Sequence, residues 1–452
     1  MKLLETIHID SIAYGGWGVG RINSKVIFVG YAVPGDTLKI EIFDEHKNYA
    51  FGRIVEIITP SPKRIEPVCR HFGFCGGCGY LNMPYEEEIY WKTEIFKTEF
   101  KKTLKNTVNI DDVRITSNPA NQNYLNYRQK IGLKVEPPYI GFYKKSTHHV
   151  IDVEYCYLAQ ESINGMLKNV RGILSDKTYK NTIFEKITNV TLADAGIKNI
   201  IFGFKDNPPA LKQLAKFAKD AAKNTGADNI FFEFQGGKTV KYEPGAEINA
   251  AQNGGGGRVN YFTVKDKKFS YDLPTFIHVN KEQNENIITA VTEYLKNIAA
   301  ERGRNFINAL DLYCGYGNVT LFLTPFADNI TGVESSGFSI KLGEKNLILN
   351  DIKNVKFVES DAADYLDKAV AGKNKKICDL IVLDPPRAGV KGLVPKIAAL
   401  NAECVIYISC DTMTLLRDLK IFAETGYKIE LINLTDMFPR TYHMEHIAFL
   451  RK

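Results

Sequence analysis

Three segments near the C-terminus carry side chains that together could form a reaction centre. They read LDPPRAG at 383–389, YISC at 407–410 and HMEH at 443–446, and they contribute Asp384, Cys410 and Glu445. A cysteine thiolate is a nucleophile, and a carboxylate can accept a proton from a reacting carbon. These groups can act together only if the fold brings three separate stretches of chain to one place.

The pattern around these segments predicts such a fold. Short, nearly all-apolar runs separated by helical stretches of roughly a dozen residues are typical of an α/β protein with a doubly wound, Rossmann-like parallel sheet. Two further strands, around 427–434 and 446–451, should close the chain as a hairpin. The five apolar runs lie at 308–315, 329–335, 354–361, 378–386 and 402–410.

Ligands bind beyond the carboxyl ends of the strands in sheets of this kind. If the last strand runs antiparallel to the others, it begins at the same edge. Polar residues are therefore expected to converge on one rim, namely the glycine turn after Asp311, then Glu334, Asp361, Asp384, Cys410 and Glu445.

The segment DLYCGYGN at 311–318 predicts a strand that enters a tight turn before a helix. Gly315 and Gly317 allow close approach of a ligand, but the third glycine of a dinucleotide fingerprint is missing. Glu334 is suitably placed for ribose hydroxyls and Asp361 for an adenine edge. A nucleoside ligand without phosphates suggests S-adenosylmethionine. The alternative is that each acidic residue simply caps a helix.

The reaction that these groups could perform is methyl transfer to a pyrimidine. A cysteine can add to C6 of uracil, which makes C5 nucleophilic enough to take a methyl group from a sulfonium donor. Glu445 would then remove the C5 proton, and Asp384 could hydrogen-bond the pyrimidine edge. The alternatives are that Cys410 is a core residue and that Glu445 pairs with Arg440 on the surface.

Composition limits the classes of protein that need to be considered. The chain has 452 residues, enough for two to four domains, and 58 Lys and Arg against 52 Asp and Glu give a net charge of +6. This balance permits an acidic polymer as partner. We see no apolar run of membrane-spanning length and no signal-peptide profile, so we expect a cytoplasmic protein without membrane association. Its eight cysteines should then be ligands, nucleophiles or core residues.

Residues 1–59 predict a small OB-like β-barrel, because short alternating runs are broken by glycine and proline turns. Its aromatic and basic side chains could stack on bases and neutralise phosphates, although an ordinary solvated face is an equal alternative. Residues 60–275 predict a central α+β domain, and residues 276–452 the catalytic domain. The candidate RNA contacts of the barrel are Tyr14, Trp17, Arg21, Lys25, Lys47 and Tyr49.

A glycine-rich loop places Cys69, Cys75 and Cys78 close together. Thiolates on a backbone that turns sharply are suited to a metal or a cluster. Cys156 is the remaining cysteine outside the C-terminal sheet and is the candidate fourth ligand. Three clustered ligands and one distant ligand favour a [4Fe–4S] cluster, while a zinc site and a loop without metal are the alternatives.

Taken together, DLYCGYGN, LDPPRAG, YISC followed by TLLRDL, and DMFPRTYHMEH resemble the RNA (uracil-5-)-methyltransferases. The likeness extends over nearly the whole chain, because residues 1–59 resemble a TRAM barrel and the segments NYRQK at 126–130 and GFYKK at 141–145 resemble central motifs of the family. The branch indicated is the one that modifies large-subunit ribosomal RNA and carries an iron–sulfur cluster.

The resemblance implies a role for each matching residue. Cys410 would be the nucleophile and Glu445 the proton acceptor. The cluster ligands would be Cys69, Cys75, Cys78 and Cys156, and the S-adenosylmethionine contacts would be His278, Tyr313, Asn318, Glu334, Asp361 and Asp384.

Two positions depart from the family pattern. His278 stands in FIHVN where the family usually has glutamine, and Asp411 follows the nucleophile where the family has asparagine. We expect His278 to keep a hydrogen bond to the cofactor. We also expect Asp411 to raise the pKa of Cys410 through its negative charge.

The sequence thus predicts an enzyme that forms 5-methyluridine in ribosomal RNA and acts as a monomer. The same reaction on transfer RNA is one alternative, and an RNA-binding homologue with impaired catalysis is another. The target base would have to leave its stack to reach the rim.

Overall fold

The computed structural model describes residues 4–120, 123–205, 209–235, 239–242, 261–270, 276–371 and 378–452. These residues form sheets of six, seven and eight strands and a separate two-stranded hairpin. Within these ranges, the helices are all too short or too polar to cross a lipid bilayer.

Residues 4–59 fold into a six-stranded sheet that curls into a half-barrel. Alternation of apolar and polar residues gives it one buried face, which includes Ile7, Val29, Leu38 and Ile40. The predicted OB-like barrel is thus present as a curled half-barrel whose strands pair in the order β1-β5-β6-β4-β3-β2. The strands are β1 (Leu4–His8), β2 (Ser11–Ala13), β3 (Trp17–Ile22), β4 (Lys25–Gly30), β5 (Thr37–Glu45) and β6 (Tyr49–Thr59).

The cysteine loop leads into helix α1 (Tyr85–Leu104) and strand β7 (Arg114–Asn118). Phe96, Phe100 and Leu104 recur every four residues, so they share one face of α1, and they are buried in the core of the C-terminal sheet. Strand β7 joins that sheet as its outermost strand, parallel to residues 431–435. Both elements come from the range predicted for the central domain but pack with the C-terminal sheet.

The central α+β region is a seven-stranded sheet in the order β10-β9-β8-β11-β12-β13-β14, with helices α2 and α4 contributing to its core. A hairpin of β15 and β16 follows it. The elements are β8 (Lys130–Glu136), β9 (Tyr139–Tyr143), β10 (Val150–Asp152), α2 (Glu161–Ser175), α3 (Lys177–Lys180), β11 (Ile187–Asp194), β12 (Lys198–Phe204), α4 (Leu211–Thr225), β13 (Asn229–Glu233), β14 (Thr239–Tyr242), β15 (Tyr261–Val264) and β16 (Lys267–Ser270).

The C-terminal region is a doubly wound α/β unit with an eight-stranded sheet, in the order β19-β18-β17-β20-β21-β23-β22-β7. Short 3₁₀ turns lie at Ile110–Asp112, Phe184–Lys186 and Thr320–Phe322. The remaining elements are α5 (Lys281–Arg302), β17 (Phe306–Leu312), β18 (Ala327–Glu334), α6 (Gly337–Leu349), β19 (Val355–Glu359), α7 (Ala362–Ala371), β20 (Leu380–Leu383), α8 (Val394–Ala399), β21 (Cys404–Ser409), α9 (Thr412–Glu424), β22 (Lys428–Thr435) and β23 (Glu445–Arg451).

The strand predictions for this sheet are confirmed. β17 to β21 run parallel to their neighbours among these five, and β23 runs antiparallel to both β21 and β22. Two apolar cores enclose the sheet, which explains why its strands are apolar on both faces. The antiparallel course of β23 puts its first residue at the edge where the parallel strands end.

Candidate active site

Cys410 lies in the connection between β21 and α9, directly after the last residue of β21. That last residue, Ser409, is paired with His446, the second residue of β23. Glu445 therefore stands at the same edge of the sheet as Cys410. β21 is buried throughout and β23 nearly so, and the two strands pair without a bulge from Cys404 opposite Arg451 to Ser409 opposite His446.

A buried histidine joins the two strands at this edge. The Nδ1 atom of His446 lies 3.0 Å from the carbonyl oxygen of Ser409, and its Nε2 atom lies 3.2 Å from the hydroxyl of Thr412. Burial lowers the pKa of His446 to about 4, so the ring is neutral near pH 7. A neutral ring that donates from Nδ1 to the carbonyl can accept from Thr412 through Nε2. His446 thus links the start of β23 to the loop of Cys410.

The charge of Glu445 acts on the Cys410 thiol. Burial, followed by the charges of Glu445 and Asp384, raises the pKa of Cys410 to about 11, while Arg387 acts in the opposite direction. Burial and then Asp384 raise the pKa of Glu445 well above its ordinary value. A carboxylate with a raised pKa is a stronger base once it is ionised. The pair is thus suited to proton transfer at a buried carbon atom.

The loop that carries Asp384 and Arg387 is held against α9. Gly389 has φ +69°, and a Cβ atom there would lie 2.5 Å from the Asp418 carboxylate. That carboxylate accepts hydrogen bonds from the Val390 amide at 3.0 Å and from the Tyr407 hydroxyl at 2.8 Å. Burial raises the pKa of Asp384 to about 7. The loop thereby places the Asp384 carboxyl group and the Arg387 guanidinium group near Cys410.

Arg387 was not among the residues predicted for the site. The structure makes it the cation that acts on both Cys410 and Glu445. The signal for it was present in the sequence, because it lies three residues after Asp384 in the same segment. A site that generates a thiolate benefits from a nearby positive charge.

The Asp411 carboxylate is held by two hydrogen bonds. Its carboxylate accepts hydrogen bonds from the Thr414 amide at 2.9 Å and from the Tyr14 hydroxyl at 3.0 Å. The side chains with the largest effects on the pKa of Cys410 are Glu445, Arg387 and Asp384. The effect expected of Asp411 on Cys410 stays a prediction.

Asp311, at the end of β17, has an open hydrogen-bonding position. It is 1% exposed, and one of its oxygens accepts a hydrogen bond from Thr320 at 2.6 Å. Its other oxygen is buried without a partner among the described residues. Burial raises the pKa of Asp311 to about 7, and the charges of Asp384 and Glu334 add to this effect. An unpaired buried acceptor is costly, so this atom is a suitable contact for a ligand donor.

The glycine turn after β17 is closed by Glu334. Gly315 and Gly317 have φ values of +56° and +90°, which glycine adopts without strain. The Glu334 carboxylate accepts hydrogen bonds from the amides of Gly315 at 3.2 Å and Ser336 at 2.8 Å. It thus bridges the ends of β17 and β18, where the ligand of such a sheet is expected.

Tyr313 and Asp361 interact electrostatically at the next position along the rim. Burial and then the Asp361 charge raise the pKa of Tyr313. The Asp361 carboxylate also accepts a hydrogen bond from the Ala363 amide at 2.7 Å, so the helix-capping alternative is present as well. The residue remains exposed to solvent.

Asn318 and His278 form the inner end of this rim. Asn318 is buried and exchanges two hydrogen bonds with Asn284, at 2.9 and 3.0 Å. The Nδ1 atom of His278 lies 3.5 Å from the Asn318 amide nitrogen. Burial lowers the pKa of His278 to about 4, so the ring is neutral. Gln129 fixes the backbone by donating to the His278 carbonyl at 2.8 Å.

The four cysteines that precede the C-terminal region have free thiols and line one cavity of 760 Å³. They are Cys69, Cys75, Cys78 and Cys156. Arg128 lies beside them and Arg387 borders the same cavity. In the arrangement that the described residues adopt, no group of three or more histidine, cysteine or acidic side chains is positioned to hold a metal ion. The structure therefore brings Cys69, Cys75, Cys78 and Cys156 to one cavity without forming a closed ligand set.

The order of the C-terminal strands and the acidic rim define a class I methyltransferase joined to a small β-domain. The crystal structure of the Pyrococcus abyssi tRNA (uracil-54, C5)-methyltransferase in complex with S-adenosyl-L-homocysteine is similar, with a TM-score of 0.72 at 19% identity. The match covers 98% of this chain and 100% of that one, and it establishes the fold.

Residues 258–452 match the sequence model described as tRNA (Uracil-5-)-methyltransferase, and residues 5–55 match the TRAM domain. An uncharacterized RNA methyltransferase of Thermotoga maritima is 29% identical, over 100% of this chain and 99% of the relative. The 23S rRNA (uracil(1939)-C(5))-methyltransferase of Vibrio parahaemolyticus is 26% identical, over 99% of this chain and 96% of the relative. The protein is an RNA (uracil-5-)-methyltransferase with a TRAM domain, and S-adenosylmethionine is its methyl donor.

Proposed function

We propose that this enzyme converts a uridine of large-subunit ribosomal RNA to 5-methyluridine, with Cys410 as nucleophile and Glu445 as base. The observation that carries the proposed chemistry is the pairing of Ser409 with His446, which puts Cys410 and Glu445 at one edge of the sheet. Relatives named as 23S rRNA enzymes at 26% and 28% identity, each matched over nearly its whole length, support the choice of ribosomal RNA.

The reaction follows from the charges around these residues. The Cys410 thiolate forms a bond to C6 of the uracil, and the electrons of the C5–C6 double bond move towards C5 and O4. C5 then forms a bond to the methyl carbon of the sulfonium of S-adenosylmethionine. The S–CH₃ bond breaks with its electron pair staying on sulfur, and S-adenosylhomocysteine is the leaving group. Glu445 accepts the C5 proton, the double bond re-forms, and the Cys410–C6 bond breaks to release the thiolate. Arg387 favours the thiolate by its positive charge.

The rim is proposed to bind S-adenosylmethionine through His278, Tyr313, Asn318, Glu334, Asp361 and Asp384. The unpartnered oxygen of Asp311 supports this proposal, since it offers a buried acceptor at the centre of the rim. The Glu334 carboxylate already spans the glycine turn and is suited to hydroxyl donors. Holding donor and acceptor in register accounts for much of the catalysis in a transfer between two bound reactants.

The four cysteines of the cavity are proposed to hold a [4Fe–4S] cluster with a structural role. Four free thiols around one cavity, with Arg128 beside them, are a suitable donor set, but the side chains would have to rotate to close around a cluster. Visible absorption and iron analysis of anaerobically purified protein test this proposal. A Cys78→Ser variant should lose both signals, whereas zinc in place of iron would support the other metal.

The proposed reaction is tested with RNA that contains 5-fluorouridine. Fluorine at C5 cannot leave as a proton, so the enzyme should stall with Cys410 bonded to C6 after methyl transfer. Ribosomal and transfer RNA are each incubated with the enzyme and S-adenosylmethionine, and the adduct is identified by denaturing gel and peptide mass spectrometry. An adduct at Cys410 on ribosomal RNA supports the proposal.

Transfer RNA is the second candidate substrate, because the matching family model is described by that substrate. An adduct on transfer RNA alone would select it. Absence of an adduct on both RNAs would reject Cys410 as nucleophile and favour an RNA-binding homologue with impaired catalysis.

A further inference from the structure

The turn between β2 and β3 of the TRAM domain reaches the loop of the proposed nucleophile. The hydroxyl of Tyr14, in this turn, donates a hydrogen bond of 3.0 Å to the Asp411 carboxylate, across a sequence separation of 397 residues. The Tyr14 ring also packs edge-on against Tyr442, with ring centroids 6.4 Å apart. Tyr14 therefore contacts both segments that flank the site, the loop after β21 and the loop before β23.

Asp411 is the residue next to Cys410 and also the N-terminal cap of α9. One of its oxygens accepts from the Thr414 amide at 2.9 Å, and the other accepts from Tyr14. Both oxygens are therefore held in place by hydrogen-bond donors from two elements, α9 and the turn between β2 and β3. Without the hydroxyl of Tyr14, one oxygen would be free to reorient beside the thiol.

A negative charge near a thiol disfavours the thiolate, so the direction of this carboxylate matters for the reaction. Two acidic groups already act on Cys410 from facing elements, together with one cation. The groups that interact with the sulfur are Glu445 of β23, Asp384 and Arg387 of the loop after β20, and Tyr14 itself. Those that interact with Asp411 are Tyr14, Arg417, His443 and His446.

We propose that Tyr14 is a positioning residue for the nucleophile, because its hydroxyl fixes the Asp411 carboxylate at the N-terminus of α9 and keeps that charge from the Cys410 sulfur. The TRAM domain then has a role in the chemistry of the site besides any contact with RNA. The inference rests on the proposed role of Cys410 as nucleophile.

The test measures the Cys410 thiolate directly and requires no RNA. Iodoacetamide alkylates thiolates, and peptide mass spectrometry distinguishes Cys410 from the other seven of the eight cysteines. Alkylation rates are measured between pH 7 and 9 for the full-length protein and for Tyr14→Phe, Asp411→Asn and the double variant. Asparagine caps helices about as well as aspartate, so Asp411→Asn leaves α9 capped.

We expect Tyr14→Phe to slow Cys410 alkylation about threefold at pH 8, the effect of roughly half a pKa unit from one unanchored charge. In the Asp411→Asn background the same substitution should change the rate by less than about 1.5-fold, because no charge remains to be fixed. Asp411→Asn alone should alkylate at least as fast as the unsubstituted protein. Tyr442→Phe is the matched control, since it removes a hydroxyl from the ring that packs against Tyr14.

Three results would overturn the inference. Tyr14→Phe could leave the alkylation rate unchanged, or it could slow alkylation equally in both backgrounds, which would indicate a general effect of docking the TRAM domain. A slower rate in Asp411→Asn alone would also contradict it. Because alkylation does not depend on the RNA substrate, a failure here is distinguishable from failure of the fluorouridine trap.

Discussion

The ammonium group of Lys92 in α1 lies 2.7 Å from the carboxylate of Asp436, a residue 344 positions later in the chain. Glu88, one turn earlier in α1, also accepts a hydrogen bond from Lys92 at 2.7 Å, and it accepts another from the Arg440 amide at the same distance. All of these side chains are buried. Since Asp436 and Arg440 precede Glu445, this network fixes the segment that leads to the proposed base.

Replacing Lys92 with methionine should therefore destabilise the protein strongly. The substitution leaves Asp436 without its Lys92 partner and Glu88 with only the Arg440 guanidinium, at 3.4 Å, and breaking a buried pair in this way costs about 3–5 kcal/mol. We expect urea denaturation to show a loss of this order in the free energy of unfolding.

The control is Lys97→Met in the same helix. Lys97 forms an exposed pair with Glu94 at 2.8 Å, and such pairs contribute about 0–1 kcal/mol. If Lys92→Met and Lys97→Met had equal effects, the buried network would contribute no more to stability than a surface ion pair.

The side-chain contacts of Lys92 and Tyr14 are features of the fold that the sequence does not predict. The strands of the C-terminal sheet were predictable because each is a short, nearly continuous apolar run, and chain order then placed Asp384, Cys410 and Glu445 at strand ends. The pairing of Lys92 with Asp436 has no local signal, since it joins residues from opposite ends of the chain. The same holds for the hydrogen bond between Tyr14 and Asp411.

Strand β7 is a second case of a limit on prediction. Its five residues, RITSN, carry little apolar periodicity, and they lie at the outer edge of the sheet beside β22. Edge strands are shorter and more polar than central ones, so their sequence indicates pairing only weakly. The cysteine loop was recognisable by its spacing, but the shared cavity with Arg387 depended on the tertiary fold.

Substitution of the proposed base should trap the reaction on ordinary RNA. In Glu445→Gln the methylated adduct cannot lose its C5 proton efficiently, so we expect turnover to fall by about 10²–10⁴ and a covalent protein–RNA band to appear. Denaturing gels with unmodified ribosomal RNA and S-adenosylmethionine measure both effects. The double variant Glu445→Gln and Cys410→Ala is the control and should form no band. A turnover close to that of the unsubstituted enzyme would assign the proton transfer to another group.

His278 is expected to bind the cofactor without a pH dependence of its own near neutrality. Its pKa of about 4 means that the ring is neutral throughout pH 6–8. Asp311 and Asp384, with pKa values of about 7, titrate in that range, so any change in affinity for S-adenosylhomocysteine with pH should be the same in His278→Gln as in the unsubstituted protein. His278→Gln should retain or tighten binding by a few-fold, because an amide offers both a donor and an acceptor beside Asn318. Calorimetric titration measures this, with the exposed His149→Gln as control. A pH dependence between 6 and 8 that differs between His278→Gln and the unsubstituted protein would show that His278 titrates in that range.

Ionised Asp384 is predicted to lower the free energy of unfolding near neutral pH, although the proposed reaction uses this residue. Burial raises its pKa to about 7 from an ordinary value of 3.8, so the folded protein binds this proton more tightly than the unfolded chain does. The resulting stability is fully present below pH 3.8 and is lost as the pH rises through 7. Asp384→Asn, which carries no titrating group, should therefore gain stability over the unsubstituted protein as the pH rises from 5 to 8. Urea denaturation of both proteins at these two pH values measures the change, and calorimetry should show that the variant binds S-adenosylhomocysteine more weakly. A stability difference that is the same at both pH values would mean that Asp384 is ionised in the folded state at pH 5.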